Sequence, residues 1–230
     1  MGRSKDLATG TFTDGLTVDT SDQVIINHSG DAGGLRIDST NNTNTGSIRF
    51  GDVADNYIGA VEYNHTSDAL SFYANNATRM TINSSGYVTM PNQPAILASS
   101  STDQTFSSTA TATAMTLGTT NFSRGNLTRS GNNLTVPVTG YYIFNYAIAA
   151  NVKNDIRAFG VRLYQNGSSL QGHNYHAAYH HSGSSFTHYE FTGTFLVSLS
   201  ASDYVTLYGI LYDTTSNINF ETQINGYLLG

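Results

Sequence analysis

Hydrophobic and polar residues alternate with a period of two in many segments of the chain. The clearest lies between 134 and 146, where a short apolar run, a Pro-Val-Thr-Gly turn and a second apolar run follow one another. In the second run the aromatic residues Tyr142, Phe144 and Tyr146 occupy every other position. Successive side chains of a strand point to opposite faces of its sheet, so these three rings share one face. The pattern predicts a strand that follows Gly140.

A loose repeat occupies the first 90 residues. Residues 24–30, 35–39 and 80–86 each place two apolar residues two positions apart, then an Asn or Asp, then a turn rich in Ser or Gly. Each unit predicts one half-buried strand that ends in an Asx-type turn. A single strand of this kind buries too little apolar area to be stable alone, so neighbouring strands or symmetry mates must complete its core.

The composition favours an all-β fold. Only 11% of the residues are charged, while the chain contains 15 Tyr and 11 Phe. Aromatic and β-branched residues favour strands, and the aromatic content argues against a disordered chain. Gly, Asn, Thr and Ser recur too often for an amphipathic helix of useful length.

Charge and cysteine content narrow the possible functions. A net charge of −6 with 10 Lys and Arg argues against nucleic-acid binding and against attachment to an anionic membrane surface. Because the chain has no cysteine, oligomerisation rather than disulfide bonds is expected to supply stability. No apolar stretch suits a signal peptide or a spanning helix, so membrane insertion is not expected. No nucleophile elbow, paired carboxylates or phosphate loop is present, so neither an enzyme nor a cofactor is predicted.

Three motifs at 48–51, 58–65 and 79–88 resemble repeats of bacteriophage tail fibres and other virion appendages. The first reads Ile-Arg-Phe-Gly, and all three occur here in the order found in those repeats. The resemblance covers about residues 33–90 and implies a short trimeric β shaft. After the third motif the family often continues into a Gly-Ile-Gly turn, where this chain has Thr-Met-Pro instead.

Residues 95–230 resemble the C1q/TNF-like jelly roll, a β-sandwich that forms trimers. The segment between 134 and 146 is the first matching motif, and a strand that runs into an Asn-Gly hairpin turn at 162–167 is the second. The segment 202–207 matches the family's Gly-Asp-x-Val-x-Leu strand, with Ser202 in place of the glycine. The closing segment 224–229 matches the family's last strand.

Both resemblances imply a homotrimer. In C1q-like domains three sandwiches bury aromatic and apolar residues around a threefold axis, and phage fibres are typically threefold as well. Tyr142 and Phe144 are expected in the core of the sandwich, and Tyr146 either there or between subunits. Tyr227 and Leu228 are expected to pack in the core or the trimer. An obligate interface contributes more free energy than the marginal stability of one domain, so folding and trimerisation are expected to be coupled.

Histidine and tyrosine are concentrated between 173 and 188. Imidazoles bind transition metals, but no carboxylate or cysteine accompanies them and no His-x-His spacing occurs, so no metal is predicted. Rigid aromatic and small polar residues suit recognition, and sugars stack on aromatic faces. A contact loop for a host polysaccharide or surface protein is therefore the hypothesis, and an exposed loop without function is the alternative. The residues assigned to the contact are Tyr175, His176, Tyr179, His180 and His181.

The leading interpretation is a structural fibre of a bacteriophage virion, made in the host cytoplasm and displayed on the particle surface. Its parts are a virion-anchoring segment at 1–32, a β-rich fibre shaft at 33–90, a proline linker at 91–94 and a C1q-like jelly-roll head at 95–230. The expected partners are two further copies of the chain, a tail or capsid protein bound through the N-terminus, and the host surface. A capsid head fibre or decoration protein is the alternative. A glycan-cleaving tailspike is disfavoured, because no long parallel β-helix or acidic pair is present.

Overall fold

The regular structure consists of β-strands alone in the part of the chain that can be described. The computed structural model describes residues 37, 43–100, 102–107, 111–151, 158–174, 188–212 and 218–229. Seventeen strands and no helix occur within these ranges, which confirms the all-β prediction. No helix within them is long and apolar enough to cross a membrane.

An antiparallel sheet of five strands, here the N-terminal sheet, precedes the linker. Its strands pair in chain order, each with the next. Tight turns make this order possible; for example, Asn75 and Asn76 join two strands with φ of 53° and 54°, a conformation that Asn tolerates well. The strands are β1 (Thr45–Phe50), β2 (Gly59–Asn64), β3 (Ala69–Ala74), β4 (Ala77–Ile82) and β5 (Val88–Thr89).

The repeat unit at 80–86 forms the predicted strand and Asx turn. After β4 ends, the Asn83 Oδ1 accepts hydrogen bonds from the backbone N–H of Ser85 at 3.0 Å and of Tyr87 at 2.9 Å. Of the other two units, 24–30 and most of 35–39 lie outside the described residues. Ile37, which is described, is not part of a strand.

Two antiparallel sheets form the C-terminal sandwich, and non-consecutive strands lie side by side in both, as in a jelly roll. The strands of the front sheet are β6 (Ala95–Ser99), β7 (Gln104–Phe106), β9 (Thr119–Arg124), β12 (Gly140–Asn151), β15 (His188–Leu199) and β17 (Ile218–Leu228). They have the order β15-β12-β17-β6-β9, with β7 also paired to β17. The strands of the back sheet are β8 (Thr113–Ala114), β10 (Thr128–Ser130), β11 (Asn133–Thr135), β13 (Ala158–Gln165), β14 (Ser168–Asn174) and β16 (Tyr204–Tyr212). They have the order β10-β11-β16-β13-β14, with β8 also paired to β16.

The hydrophobic core lies between the front and back sheets. Tyr142, Phe144 and Tyr146 point into it from β12 and are at most 3% exposed. The Phe144 ring lies against Gly226 and the Tyr146 ring against Gly193, where an added Cβ would collide with the ring. These two glycines therefore make room for the aromatic residues of the neighbouring strand. Burial raises the pKa of Tyr146 to about 12, so its hydroxyl stays neutral.

Two turns at one end of the sandwich are joined by Asp203. The Asn-Gly hairpin turn has φ of 49° at Asn166 and 79° at Gly167, and the other turn has φ of 74° at Ser202, where the family motif has glycine. The Asp203 carboxylate accepts hydrogen bonds from Asn166 Nδ2 at 2.7 Å and from the backbone N–H of Ser200 at 2.9 Å. These two bonds, the Asn166 bond first, lower the pKa of Asp203 below its usual range.

The proline linker contains no strand. β5 ends at Thr89 and β6 begins at Ala95. The C-terminal end of the linker is held against β17, because the backbone N–H of Leu228 donates to the Pro94 carbonyl at 3.1 Å and Gln93 Nε2 donates to the Leu228 carbonyl at 3.1 Å. The end of the linker is thus hydrogen-bonded to β17, the last strand of the sandwich, just before β6, the first strand, begins.

Candidate self-association face

The predicted contact loop falls outside the described residues. β14 ends at Asn174 and β15 begins at His188. The assignment of Tyr175, His176, Tyr179, His180 and His181 to a contact therefore stays a prediction. In the described ranges, no group of three or more metal-ligating side chains occurs.

The outer face of the front sheet carries a cluster of apolar side chains that are exposed or half-buried. In the register of the strands, Ile143 lies opposite Leu196 on one side and Tyr227 on the other. On the two strands at the other side of the sheet, Leu97 of β6 lies opposite Phe122 of β9. Tyr141 is 59% exposed and Leu196 53%. We call this cluster the apolar half of the face; it consists of Leu97, Phe122, Tyr141, Ile143, Leu196, Tyr227 and Leu229.

A hydrogen-bonded polar row spans β15, β12 and β17 and continues into Leu97 and Phe122 of the apolar half. Asn145 on β12 lies opposite Thr194 on β15 and opposite Asn225 on β17. Thr194 Oγ1 donates to Asn145 Oδ1 at 2.7 Å, and Asn145 Nδ2 donates to Asn225 Oδ1 at 2.9 Å. The three side chains, here called the polar row, thus form a directed chain of donors that runs from the edge of the sheet towards its middle.

The far part of the same face, here the acidic half, is formed by small and acidic side chains. Glu190 and Glu221 both lie opposite Ala149, one on each side. A cleft of about 390 Å³ lies over this region, with Ala147 and Ser99 also in its lining, and none of its lining residues is basic. Like charges at this spacing repel one another, so this half favours association less than the apolar half does.

The residues that were predicted to pack in the core or the trimer lie on both faces of the front sheet. Tyr142, Phe144 and Tyr146 point inwards, and Leu228 is partly buried against the core. Tyr227 is 40% exposed and belongs to the apolar half. The other members of that half received no separate prediction from the sequence. The sequence nevertheless indicates an apolar outer face, because Tyr141 and Ile143 alternate with the three core-facing aromatic residues of β12.

The N-terminal sheet also has one apolar face, whose side chains are exposed or half-buried. Ile48, Val61, Phe72 and Met80 form one row across four strands. Phe50 at the end of β1 is 60% exposed. No buried residue lies on this face, and no second layer of described strands covers it. Exposed apolar faces thus occur in both parts of the molecule.

The strand order defines the C-terminal domain as an antiparallel jelly-roll sandwich, and the N-terminal sheet is an addition to it. No protein-family model matches the chain, and no curated protein matches it. The globular domain of zebrafish complement 1qA is 14% identical, with a TM-score of 0.46, and the match covers 60% of this chain and 98% of that one. The PRD1 vertex protein P5 is 15% identical, with a TM-score of 0.44 and the same coverage. The Eiger TNF from S. frugiperda is 17% identical, with a TM-score of 0.40, covering 60% of this chain and 94% of that one.

Proposed function

We propose that this chain is a homotrimeric fibre protein of a bacteriophage virion and that its jelly-roll head attaches the particle to the host surface. The observation that carries the proposal is the apolar half of the front sheet's outer face. A contiguous apolar cluster of this kind marks an interaction surface on a folded domain. One charged group borders it, the Arg124 guanidinium, which lies 6.0 Å from the centre of the Phe122 ring.

The N-terminal sheet supports the same assembly. A single layer of strands with one exposed apolar face is stable only when something covers that face. Three copies that turn the row Ile48, Val61, Phe72 and Met80 towards a common axis would bury it. This arrangement is the trimeric shaft that the tail-fibre resemblance implies, with residues 1–32 bound to a tail or capsid protein.

Attachment to the host is assigned to the loop between β14 and β15. A trimer presents three copies of Tyr175, His176, Tyr179, His180 and His181, so weak single contacts gain avidity. The proposed ligand is a polysaccharide or a protein of the host surface. Binding rather than catalysis is the activity that this class of domain typically performs.

Sedimentation equilibrium at micromolar concentration tests the assembly. We expect one species of three times the mass of the chain. Leu196→Asp places a charge in the apolar half and is expected to dissociate this species. Ser169→Asp adds the same charge on an exposed strand position of the back sheet and is expected to leave it intact. A folded wild-type monomer, or equal behaviour of the two variants, contradicts the proposal.

Adsorption of phage particles tests the attachment role. Particles that carry Tyr175→Ala and Tyr179→Ala are expected to assemble normally, with the fibre visible on the tail by electron microscopy, and to adsorb poorly to host cells. Wild-type adsorption by correctly assembled particles would remove the loop from the binding site. A capsid location together with wild-type adsorption would favour the decoration protein.

A further inference from the structure

A cavity of about 340 Å³ opens at the end of the N-terminal sheet where β1 and β3 finish. Its lining includes Phe50, Gly59 and Ala74, which lie side by side in the register of the strands. These three residues lie two positions beyond the row that contains Ile48, so the cavity is outside the row that is proposed to face the axis of the shaft. Its volume is at the lower end of the range of about 300–1,000 Å³ that is usual for small-molecule sites.

The cavity has an aromatic wall and a floor of small residues. Phe50 is largely exposed, and a Cβ added to Gly59 would lie 3.8 Å from Cδ2 of its ring. Because Gly59 has no side chain and Ala74 has only a methyl group, the ring has open space beside it. An exposed aromatic ring next to such a space offers a stacking surface to the apolar face of a small cyclic ligand.

Asp52 and Asn75 also line the cavity and have unused hydrogen-bonding atoms. Asp52 Oδ1 accepts from the backbone N–H of Ala54 at 2.8 Å and of Asp55 at 3.0 Å, whereas its Oδ2 has no partner among the described residues. The Asn75 side chain has no partner in the described part of the chain either. The backbone bonds, that of Asp55 first, lower the pKa of Asp52, so its carboxylate is charged at neutral pH. A carboxylate accepts from hydroxyl groups, and an amide both donates and accepts.

The two loops that carry Asp52 and Asn75 are hydrogen-bonded to one another. Asn76 Nδ2 donates to Asp55 Oδ2 at 2.7 Å, and the backbone N–H of Asn76 donates to the Ile58 carbonyl at 3.0 Å. The first loop is also closed on itself, because the backbone N–H of Asp52 donates to the Asp55 carbonyl at 2.7 Å. The two polar residues of the cavity are therefore held in place before a ligand arrives, which reduces the entropy lost on binding.

We propose that this cavity binds one neutral sugar residue of a glycan, which stacks on Phe50 while its hydroxyl groups bond to Asp52 and Asn75. A purely apolar occupant, such as a side chain of another copy, would bury Asp52 Oδ2 and the Asn75 amide without partners, and this is costly. A sugar ring has an apolar face and hydroxyl groups in one molecule, and the charge of Asp52 disfavours an anionic sugar. The site is separate from the loop to which host attachment is assigned and does not depend on that assignment.

Saturation-transfer NMR of the full chain with the methyl glycosides of glucose, galactose, mannose and N-acetylglucosamine tests the site. We expect at least one of them to bind with a millimolar dissociation constant. Phe50→Ala is expected to weaken this binding at least about tenfold, and Phe50→Tyr, which retains the ring, to preserve it. Tyr87→Ala is the matched control, because it removes a largely exposed aromatic ring that does not line the cavity, and it should bind as the wild type does. If the wild type binds none of these glycosides, or if Phe50→Ala binds as tightly as the wild type, the proposal is overturned.

A second pair of variants tests the polar side of the cavity and stays informative if Phe50→Ala fails to fold. Asn75→Gly removes the amide at a φ of 53°, which glycine adopts readily, so the turn is retained and glycoside binding is expected to weaken at least about threefold. Asn126→Gly makes the same change at a φ of 61° in the head and should have no effect on binding. Equal affinities for these two variants would overturn the proposal.

One further variant separates this site from the proposed attachment loop. Tyr175→Ala combined with Tyr179→Ala is expected to bind the glycoside as the wild type does, because both changes lie in the loop between β14 and β15. Loss of binding in this variant would assign the sugar to that loop, which would overturn the cavity as its site and leave the proposed attachment role in place.

Discussion

The N-terminal sheet and the jelly-roll head are made from the same kind of strand but reach very different degrees of burial. Ala60, at 3% exposed, is the one hydrophobic residue described as buried in the N-terminal sheet, and the others described as buried lie in the head. Both parts alternate apolar and polar side chains. The head has a second sheet to cover its apolar side chains, whereas no described strand covers those of the N-terminal sheet. The alternation of apolar and polar residues gives each sheet one apolar face, and a second sheet packed against that face is needed to bury it.

The two parts therefore differ in where their stability originates. The head contains an aromatic core in which Phe159 stacks on Phe220 at a centroid distance of 4.3 Å and Phe106 meets both rings edge-on. The N-terminal sheet contains no comparable cluster among its described residues. Its apolar side chains contribute fully only after association, so its folding is expected to depend on the assembly.

Separating the two parts is expected to have the largest effect. Expressed alone, residues 95–230 should fold and melt cooperatively as a trimer, while residues 1–90 should be unfolded or aggregate. Circular dichroism melts of the two fragments measure this difference. A cooperative melt from the 1–90 fragment would show that the N-terminal sheet has its own stable core, and the contrast between the two parts would then be wrong.

The loss of stability on truncating one phenylalanine in each part tests the same contrast at single positions. Phe144→Ala is expected to destabilise the head by about 3–5 kcal/mol, because it empties a fully buried site against Gly226. Phe72→Ala, at a half-buried site of the N-terminal sheet, is expected to cost less than about 2 kcal/mol. Denaturant unfolding of both variants gives the two values. An unchanged melting temperature for Phe144→Ala would contradict the register of β12.

Replacing a carboxylate that caps a turn is expected to have a smaller effect on the melting temperature, and this effect depends on pH. Asp203→Asn removes a group whose pKa is lowered in the folded state, first by Asn166, and is expected to lower the melting temperature of the head by roughly 2–4 °C at pH 7. A lowered pKa stabilises the fold above the unfolded value of 3.8, so the difference from wild type should be full above about pH 5 and vanish as the pH falls through the folded pKa.

Asp52→Asn is the matched change in the N-terminal sheet, where Asp52 accepts hydrogen bonds from the backbone N–H of Ala54 and Asp55. Its effect on the melting temperature of the head should be negligible, because the turn that it caps belongs to the other part. A pH-independent loss for Asp203→Asn would mean that the loss comes from packing and not from the charged carboxylate.

The smallest expected effect concerns backbone strain in turns. Ser202 has a positive φ, a conformation that costs less for glycine, so Ser202→Gly is expected to stabilise the head by about 0.5–1 kcal/mol. Asn76→Gly changes a residue that tolerates the same conformation and should gain less. Thermal melts at equal protein concentration compare the two. A loss of stability for Ser202→Gly would show that the serine side chain contributes more than its backbone costs.

Local features of this protein were predictable from the sequence because each depends on neighbouring residues. The aromatic residues at every second position predicted that β12 is a strand with these rings on one face. The Asn-Gly pair predicted the hairpin turn at 166–167, and Asn83 predicted its Asx turn. Strand alternation and turn chemistry act over a few residues, so no knowledge of the rest of the fold was needed. The order of the motifs along the chain predicted the jelly roll.

The candidate face was not predictable in the same way. Leu97, Asn145, Thr194 and Asn225 are far apart in the chain and come together only through the register of the front sheet. A one-residue shift of any of these strands would turn its outward side chains into the core. The aromatic residues of β12 predicted its core-facing side, whereas the alternate residues, which form the outer face, received no predicted role.

By itself, then, the sequence determined the strand content, the turns and the jelly-roll fold of the C-terminal part, since these follow from local chemistry and motif order. The tertiary structure alone decided which apolar residues remain exposed and which polar side chains meet in a row. Those outcomes depend on pairing between strands that the chain keeps more than a hundred residues apart, as in the contact between β6 and β17. Long-range register is set by the packing of the whole sandwich, and no single segment encodes it.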